Sequence, residues 1–197
     1  MADSSSTRER LRDSLADAAA EEPLAGPRVA AIALILIEQD EALDLLLIER
    51  ATREGDPWSG HMALPGGHVE PSDVDLAATA ERETWEEVGL DLRQSGERLG
   101  RLSDCTPVRG VPIAVRPFVY LLRELPRLTL SAEVRRALWV PVAPLLRGEL
   151  QTTHTLSRAG QHLEFPAWEV GGGVVWGLTY RVLDDFFRRF SAVSRPL

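Results

Sequence analysis

The chain contains no lysine: all 22 of its basic residues are arginine. Every direct cationic contact to an anionic ligand must therefore come from a guanidinium, a planar fork suited to phosphate oxygens. Cysteine is almost absent too, with Cys105 alone among 197 residues. That excludes an intrachain disulfide and fits a reducing, cytoplasmic setting. No apolar run is long enough to cross a bilayer. The longest, residues 29–37, falls well short of the roughly 20 residues a spanning helix requires. The opening MADSSSTRERLRD has no apolar core after its charges, so it does not read as a secretory signal. GGHVEPSD lacks the Gly-Lys-Ser/Thr end of a P-loop, and there is no Gly-x-Ser-x-Gly elbow. A net charge of −8 argues against a nucleic-acid-binding surface. An anionic nucleotide bridged by metal ions stays compatible with it.

What is present is a soluble globular composition, 44% apolar and 26% charged. Residues 1–24 read as a polar tail and an Ala- and Arg-rich helix over 7–22, with Leu11, Leu15, Ala18 and Ala19 on one stripe. Pro23, Gly26 and Pro27 separate it from a single domain over 25–197. In that domain, strands are expected over 28–37, 44–50, 61–64, 98–104, 112–122 and 138–142. Pro117 points to an edge strand or a bulge in the fifth of these. A hairpin over 152–156 and 162–169 follows, and Gly171-Gly172-Gly173 turns the chain into a strand from Val174. An amphipathic helix over 178–190 closes the chain, and Trp139 and Trp176 read as core. Irregular alternation of strands and helices predicts an α/β fold with a mixed sheet.

The chemistry concentrates in LPGGHVEPSDVDLAATAERETWEEVGL, residues 64–90. Pro65, Gly66 and Gly67 suggest a turn in which both glycines are free to take positive φ. Ser72, Asp73 and Asp75 are candidate N-caps, and Gly89 is a natural stop. Between them Leu76, Ala77, Ala80, Thr84 and Val88 share one helix face, and Glu83, Glu86 and Glu87 share the other. Residues four apart on a helix are neighbours, so Glu83 and Glu87 stack and repel. A divalent cation reverses the sign of that interaction, and Mg²⁺ is commonly held by one or two carboxylates together with substrate phosphates. Arg82 is placed to orient a carboxylate as a bidentate partner. The plainer alternative is a solvated acidic face after an ordinary turn.

The order of parts is more specific than that alternative. Gly67, five residues, Asp73, then Arg82-Glu83, two residues, Glu86-Glu87, one residue and Gly89-Leu90 resembles the Nudix box, G-x5-E-x7-R-E-U-x-E-E-x-G-U. Asp73 stands for the first Glu, eight residues rather than seven precede Arg82, and Thr84 sits where an aliphatic is usual. The resemblance implies a Nudix-type α/β/α sandwich, with the box helix and the closing helix on opposite sides of the sheet. It also implies a pyrophosphohydrolase dependent on Mg²⁺ or Mn²⁺ that cleaves a nucleoside diphosphate linked to another moiety. Glu83 and Glu87 would be metal ligands, Glu86 would complete the site or position water, and the Gly67 carbonyl would add a ligand.

The extra loop residue is similar to the branch resembling coenzyme A pyrophosphatases. Coenzyme A or an acyl derivative is accordingly the first expected substrate, giving 4′-phosphopantetheine and 3′,5′-ADP. That branch's longer signature fits poorly: Leu45, Leu46, Arg50 and Ala51 are recognisable, but the spacing is off by one, Asp56 occupies its second Arg position and Leu64 replaces its Phe. ADP-ribose or a nucleotide sugar is the enzymatic alternative. A non-catalytic nucleotide-binding sensor is the alternative of a different class. Arg50 and Arg53 are candidate phosphate contacts, Trp58 a candidate base contact, and Glu133 a candidate extra acid if it is not merely a first-turn helix acid. His61 and His68 lack the partners of a zinc site and read as structural. The partner expected is a small nucleotide, without nucleic acid or membrane, and homodimerisation is left open.

Overall fold

The computed structural model describes residues 7–15, 24, 26, 28–39, 42–52, 59–107, 112–158 and 161–193. The longest apolar run of the sequence becomes the central strand. A strand covered on both faces must be apolar at successive positions rather than alternate ones. From Ala33 to Ile37 every residue of β1 (Val29–Gln39) is at most 2% exposed. Ala31, Ala33, Ile35 and Ile37 face one core layer, and Leu34 and Leu36 face the other.

β2 (Ala42–Arg50) returns antiparallel to β1, with Gln39 opposite Ala42. The two strands pair only near that turn, and beyond it they diverge. The segment 62–68 crosses the wedge between them: β3 (Met62–Ala63) pairs with β2, Pro65 O accepts the Ala33 N–H, and β4 (Gly66–His68) pairs with β1. The other edge of β1 carries β6 (Ala114–Leu122) in parallel, with β5 (Gly96–Arg101) outside it. β7 (Val134–Pro141) lies antiparallel along the outer edge of β2. The sheet is therefore mixed, as the irregular alternation predicted.

Five helices complete the described chain: α1 (Thr7–Ser14), α2 (Leu76–Val88), α3 (Leu92–Ser95), α4 (Val142–Leu146) and α5 (Gly177–Val193). α2 places Ala77, Ala80 and Val88 on one face of the sheet, and α5 places Val182, Leu183, Phe186, Phe187 and Phe190 on the other. A second sheet of three antiparallel strands, β8 (Gln151–Arg158), β9 (Gln161–Val170) and β10 (Gly173–Trp176), adjoins the α5 layer. α1 ends at Ser14, and Ala18 and Ala19 lie outside the described residues. Its Leu11 and Leu15 join the α5 core, Arg8 and Arg12 pair with Glu97, and the Arg10 guanidinium lies 4.9 Å over Phe190. Among the described residues no helix is long and apolar enough to cross a membrane.

The structure corrects three sequence expectations. β6 is an interior strand, so Pro117 does not mark an edge. Its carbonyl accepts from Leu102 just past the end of β5, and Cys105 pairs with Val115 beyond it, so three steps on one strand face two on the other and a bulge-like slip falls at Pro117, where the N–H is missing. β7 starts at Val134 rather than near 138, because Arg135 and Arg136 both pair with the buried Glu49 of β2. Trp139 and Trp176 are both half-buried rather than core, and Trp139 packs against the α2 layer from its margin.

Candidate active site

Of the three candidate N-caps, Asp75 takes the role: its Oδ1 accepts the Ala78 N–H at 2.7 Å, and α2 ends at Gly89. The cap sets the helix phase and lays the turn containing Glu83 and Glu87 across β4. Glu86 stays on the outer side, with 54% of its side chain exposed, and Glu83 is part-buried with its carboxylate against Gly67. Glu87 does not share that exposure. It is 5% exposed, and its Oε2 accepts the Gly66 N–H at 3.0 Å. Thr84, in the slot where the box has an aliphatic, is fully buried and satisfies its hydroxyl by donating to Ala80 O at 2.7 Å.

The glycines serve close approach rather than a turn. Gly66 and Gly67 lie in strand β4, and only Gly66 has positive φ, at 147°. A Cβ on Gly66 would overlap Ala31 O and Ile32, and a Cβ on Gly67 would overlap the Glu83 carboxylate. The two glycines thus let the carboxylates of α2 settle directly on the β4 backbone.

Arg82 is the hub of the polar face. Its bidentate partner is Asp73 (Nε–Oδ1 and Nη2–Oδ2, both 3.0 Å), while Nη1 reaches Glu83 Oε1 at 3.0 Å and Glu86 Oε2 at 3.2 Å. Nη2 also donates to His68 O at 2.9 Å. Asp73 accepts further bonds from the Glu70 N–H and the Thr79 hydroxyl. The substituted, shifted acid of the box is therefore the anchor that fixes Arg82, and through it the orientation of Glu83 and Glu86. These bonds, the Arg82 fork foremost, hold the Asp73 carboxyl down at about 2.

Glu87 behaves oppositely. Burial pushes its carboxyl up to about 8; the Gly66 N–H and the Arg50 charge pull it down, and Glu83 and Glu133 push it up. Burial likewise raises Glu83, against the Arg82 contact. Arg50 and Glu133 are thereby brought into electrostatic reach of the helix. Ala51 N–H donates to Glu133 O at 2.8 Å, and Ser131 N–H donates to Glu87 O at 2.9 Å, which docks the 131–133 turn between β2 and α2. Glu133 consequently heads a strand, not the first turn of a helix. Arg50 N–H donates to His61 O at 3.1 Å, and Gly60 N–H to Arg50 O at 3.0 Å. Those bonds close the neck of the loop bearing Arg53 and Trp58, which both lie outside the described residues.

Among the described residues no three His, Cys, Asp or Glu side chains gather into a ready cation cage. Arg82 Nη1 bridges Glu83 and Glu86 in its place. The donor set nevertheless fits a hard divalent ion. It is all oxygen, its carboxylates lie on one turn of helix, and it includes Glu87, whose pKa is raised first by burial and then by the charges of Glu83 and Glu133. Of the expected site residues, Glu83, Glu87, Gly67 and Arg82 are assembled directly, Glu86 through Arg82, and Arg50 and Glu133 through their fields at Glu87. Sequence reasoning missed two participants. Asp73 occupied the slot of the box's first acid, which was a usable signal; nothing local marked Gly66 N–H as the partner of Glu87.

The family model for the NUDIX domain matches residues 26–159. The uncharacterized Nudix hydrolase NudL of Photorhabdus laumondii is 34% identical over 145 residues, covering 71% of this chain and 74% of that protein. Nudix hydrolase 22, chloroplastic, of Arabidopsis thaliana is 29% identical over 175 residues, covering 80% of this chain and 53% of that protein. An uncharacterized protein of Schizosaccharomyces pombe is 43% identical over 114 residues, which is 55% of this chain and 35% of that protein. The chain thus spans about a third to a half of the length of the last two relatives. Among solved structures, a MutT/nudix family protein from Enterococcus faecalis superposes with a TM-score of 0.54 at 22% identity, covering 88% of this chain and 66% of that one. An Ap4A hydrolase of C. elegans gives 0.52 at 19% identity, covering 84% and 96%. Those two likenesses concern the fold alone.

Proposed function

The chain belongs to the Nudix family, and we propose that it is a divalent-metal-dependent pyrophosphohydrolase acting on a nucleoside diphosphate linked to a second moiety. The observation that carries this reading is the seating of Glu83 and Glu87 on the glycine backbone of β4, with Glu86 on the same helical turn. Glu83, Glu87 and Glu86, with the Gly67 carbonyl, would hold Mg²⁺ or Mn²⁺. A bound ion of this kind supplies charge neutralisation at the bridging phosphates and acidifies water.

The chain's own residues do the rest. Gly66 N–H fixes Glu87 Oε2, and Asp73 locks Arg82 so that it orients Glu83 and Glu86. Arg82 is therefore a positioning residue. Arg50, whose charge reaches Glu87, is a phosphate contact on the β2 side, joined by Arg53, and Trp58 is the candidate base contact. Glu133 is the extra acid, poised beside Glu87 to accept a proton.

Coenzyme A or acyl-coenzyme A is the preferred substrate, on the loop spacing and on Leu45, Leu46, Arg50 and Ala51. ADP-ribose or a nucleotide sugar is the second reading, kept because the longer coenzyme A signature is off by one in spacing and fails at Asp56 and Leu64. The deciding experiment is a hydrolysis panel with Mg²⁺ and Mn²⁺ over coenzyme A, ADP-ribose, diadenosine polyphosphates and oxidised deoxynucleoside triphosphates. Cleavage of coenzyme A to 3′,5′-ADP is the expected result. Preference for ADP-ribose transfers the assignment, and no hydrolysis of any diphosphate removes the enzymatic reading.

A further inference from the structure

The flank of α2 turned away from Glu83 carries an exposed indole beside a hollow. At 100° per residue, Ala78, Glu81 and Trp85 fall on one stripe about halfway round the helix from Glu83. Trp85 is the bulkiest side chain of α2, yet it is 59% exposed. The hollow, of about 450 Å³, lies between α2, α3 and β5. Its floor is made by the buried Ala77, Ala78 and Leu92, and the exposed Val74 stands at its mouth. Helical side chains lean towards the N-terminus, so the Trp85 ring is carried back towards Glu81 at the rim of the hollow.

The chemistry of the hollow matches that of an indole. Two alanines leave room for a ring, and Leu92 offers it apolar contact. Arg98, on the β5 wall, holds its guanidinium 5.8 Å from the Phe118 ring centroid and has no carboxylate partner among the described residues. A guanidinium so placed can take a second aromatic ring on its open face. Glu81 receives the Tyr120 hydroxyl at 3.1 Å and Arg93 Nε at 2.6 Å, and a carboxylate keeps lone pairs beyond two such bonds for an indole N–H. Charge is balanced as well: Asp75 and Glu81 face Arg93 and Arg98, in a chain whose net charge is −8. Two copies meeting at this flank therefore escape the repulsion that the acidic remainder of the surface imposes.

We propose that this flank of α2 pairs with the same flank of a second copy of the chain, each Trp85 entering the hollow of the other. A two-fold interface needs a patch complementary to itself. A knob one helical turn from a hollow is such a patch: a two-fold axis crossing α2 between Glu81 and Trp85 sets the two helices antiparallel and exchanges the two indoles. Glu83 and Glu87 lie on the other side of the helix, so the pairing leaves the acidic turn uncovered.

The test is sedimentation velocity on the full chain in EDTA. Over roughly 1–100 μM the wild type should show a monomer–dimer equilibrium. Trp85→Ser should raise the dissociation constant at least about 30-fold, the loss of a buried aromatic anchor, and Trp85→Phe should raise it much less. Ala78→Leu plugs the hollow from its own side and should also weaken the pairing. If circular dichroism shows that Ala78→Leu does not fold, the two Trp85 variants, altered at an exposed position, still decide the matter. A wild type that stays monomeric throughout that range, or a dissociation constant indifferent to Trp85→Ser, would overturn the pairing. A monomeric wild type that instead sediments with anionic phospholipid vesicles, and does so only with Trp85 intact, would give the flank to a lipid surface. Neither metal nor nucleotide is present, so the outcome is independent of the hydrolysis panel.

Discussion

Glu87→Gln separates what this side chain does for the fold from what it does for the site. In the metal-free protein, burial holds the Glu87 carboxyl at about 8, against an ordinary value near 4.5. The sign follows by linkage. A carboxyl whose folded pKa is raised imposes little penalty below about pH 4.5, and a growing one as pH rises towards 8, where the fold must bury a charge the unfolded chain keeps in water. At about 1.36 kcal/mol per pKa unit the full penalty is about 5 kcal/mol, and at pH 7 about 3. Water entering a surface cleft reduces both, to about 2–3 kcal/mol in practice. The amide keeps the oxygen that accepts the Gly66 N–H but cannot ionise. In EDTA, Glu87→Gln should therefore melt higher than wild type by about 4–10 °C at pH 8, and the gap should nearly close at pH 5. Adding Mg²⁺ should close that gap. At 100 times its dissociation constant the ion adds about 2.7 kcal/mol to the wild type, and the variant should gain little and lose turnover. Parallel pH profiles for the two proteins in EDTA would refute the burial argument, and equal metal-induced shifts would remove Glu87 from the site.

Three further outcomes are expected. Asp73→Asn should destabilise the fold by about 1–2 kcal/mol at pH 6. Because Asp73 is held at about 2, the wild type's advantage should be full above about pH 4 and shrink as pH falls from 4 towards 2, as urea unfolding at pH 6, 4 and 3 would show. Gly67→Ala should leave stability within about 1 kcal/mol, since the overlapped group is the flexible end of Glu83, yet lower kcat/KM about 100-fold by displacing that carboxylate; a fully active variant would show that Glu83 need not rest on Gly67. Arg50→Ala should cut the preference for coenzyme A over dephospho-coenzyme A by roughly 10- to 150-fold, the loss of one Arg–phosphate contact, whereas equal kcat/KM for both substrates in the wild type would mean that the 3′-phosphate is not read.

The acidic turn of α2 was legible because its information is local. Spacings of three and four residues bring Glu83, Glu86 and Glu87 to one turn whatever surrounds the helix. β1 was equally legible, since a strand covered on both faces must be apolar throughout. What stayed hidden came from long-range geometry. Periodicity assigned Glu87 to the polar face, and only the wedge that brings Gly66 beneath it explains its burial. The glycines suggested a turn because positive φ is their commonest use; here the determinant is a carboxylate 16 residues away in the sequence (Gly67 to Glu83). Pro117 pointed to an edge or a bulge, and only the pairing of its neighbours excludes the edge and leaves the slip. The early strand start at Val134 depended on Glu49, more than 80 residues upstream.

The last two residues of β2 link two parts of the molecule. Successive side chains of a strand point to opposite faces. Glu49 is gripped by Arg135 and Arg136, and Arg136 also holds the Gly171 turn of the small sheet. Arg50, the next residue, carries its charge towards Glu87 on the opposite side. A single peptide bond thus joins the side chain that shares Arg136 with the turn of the small sheet to the one whose charge acts on Glu87. The register slip of the β2–β7 ladder falls at that same bond, between Glu49 and Arg50, so the two contacts meet where the strands are already out of step.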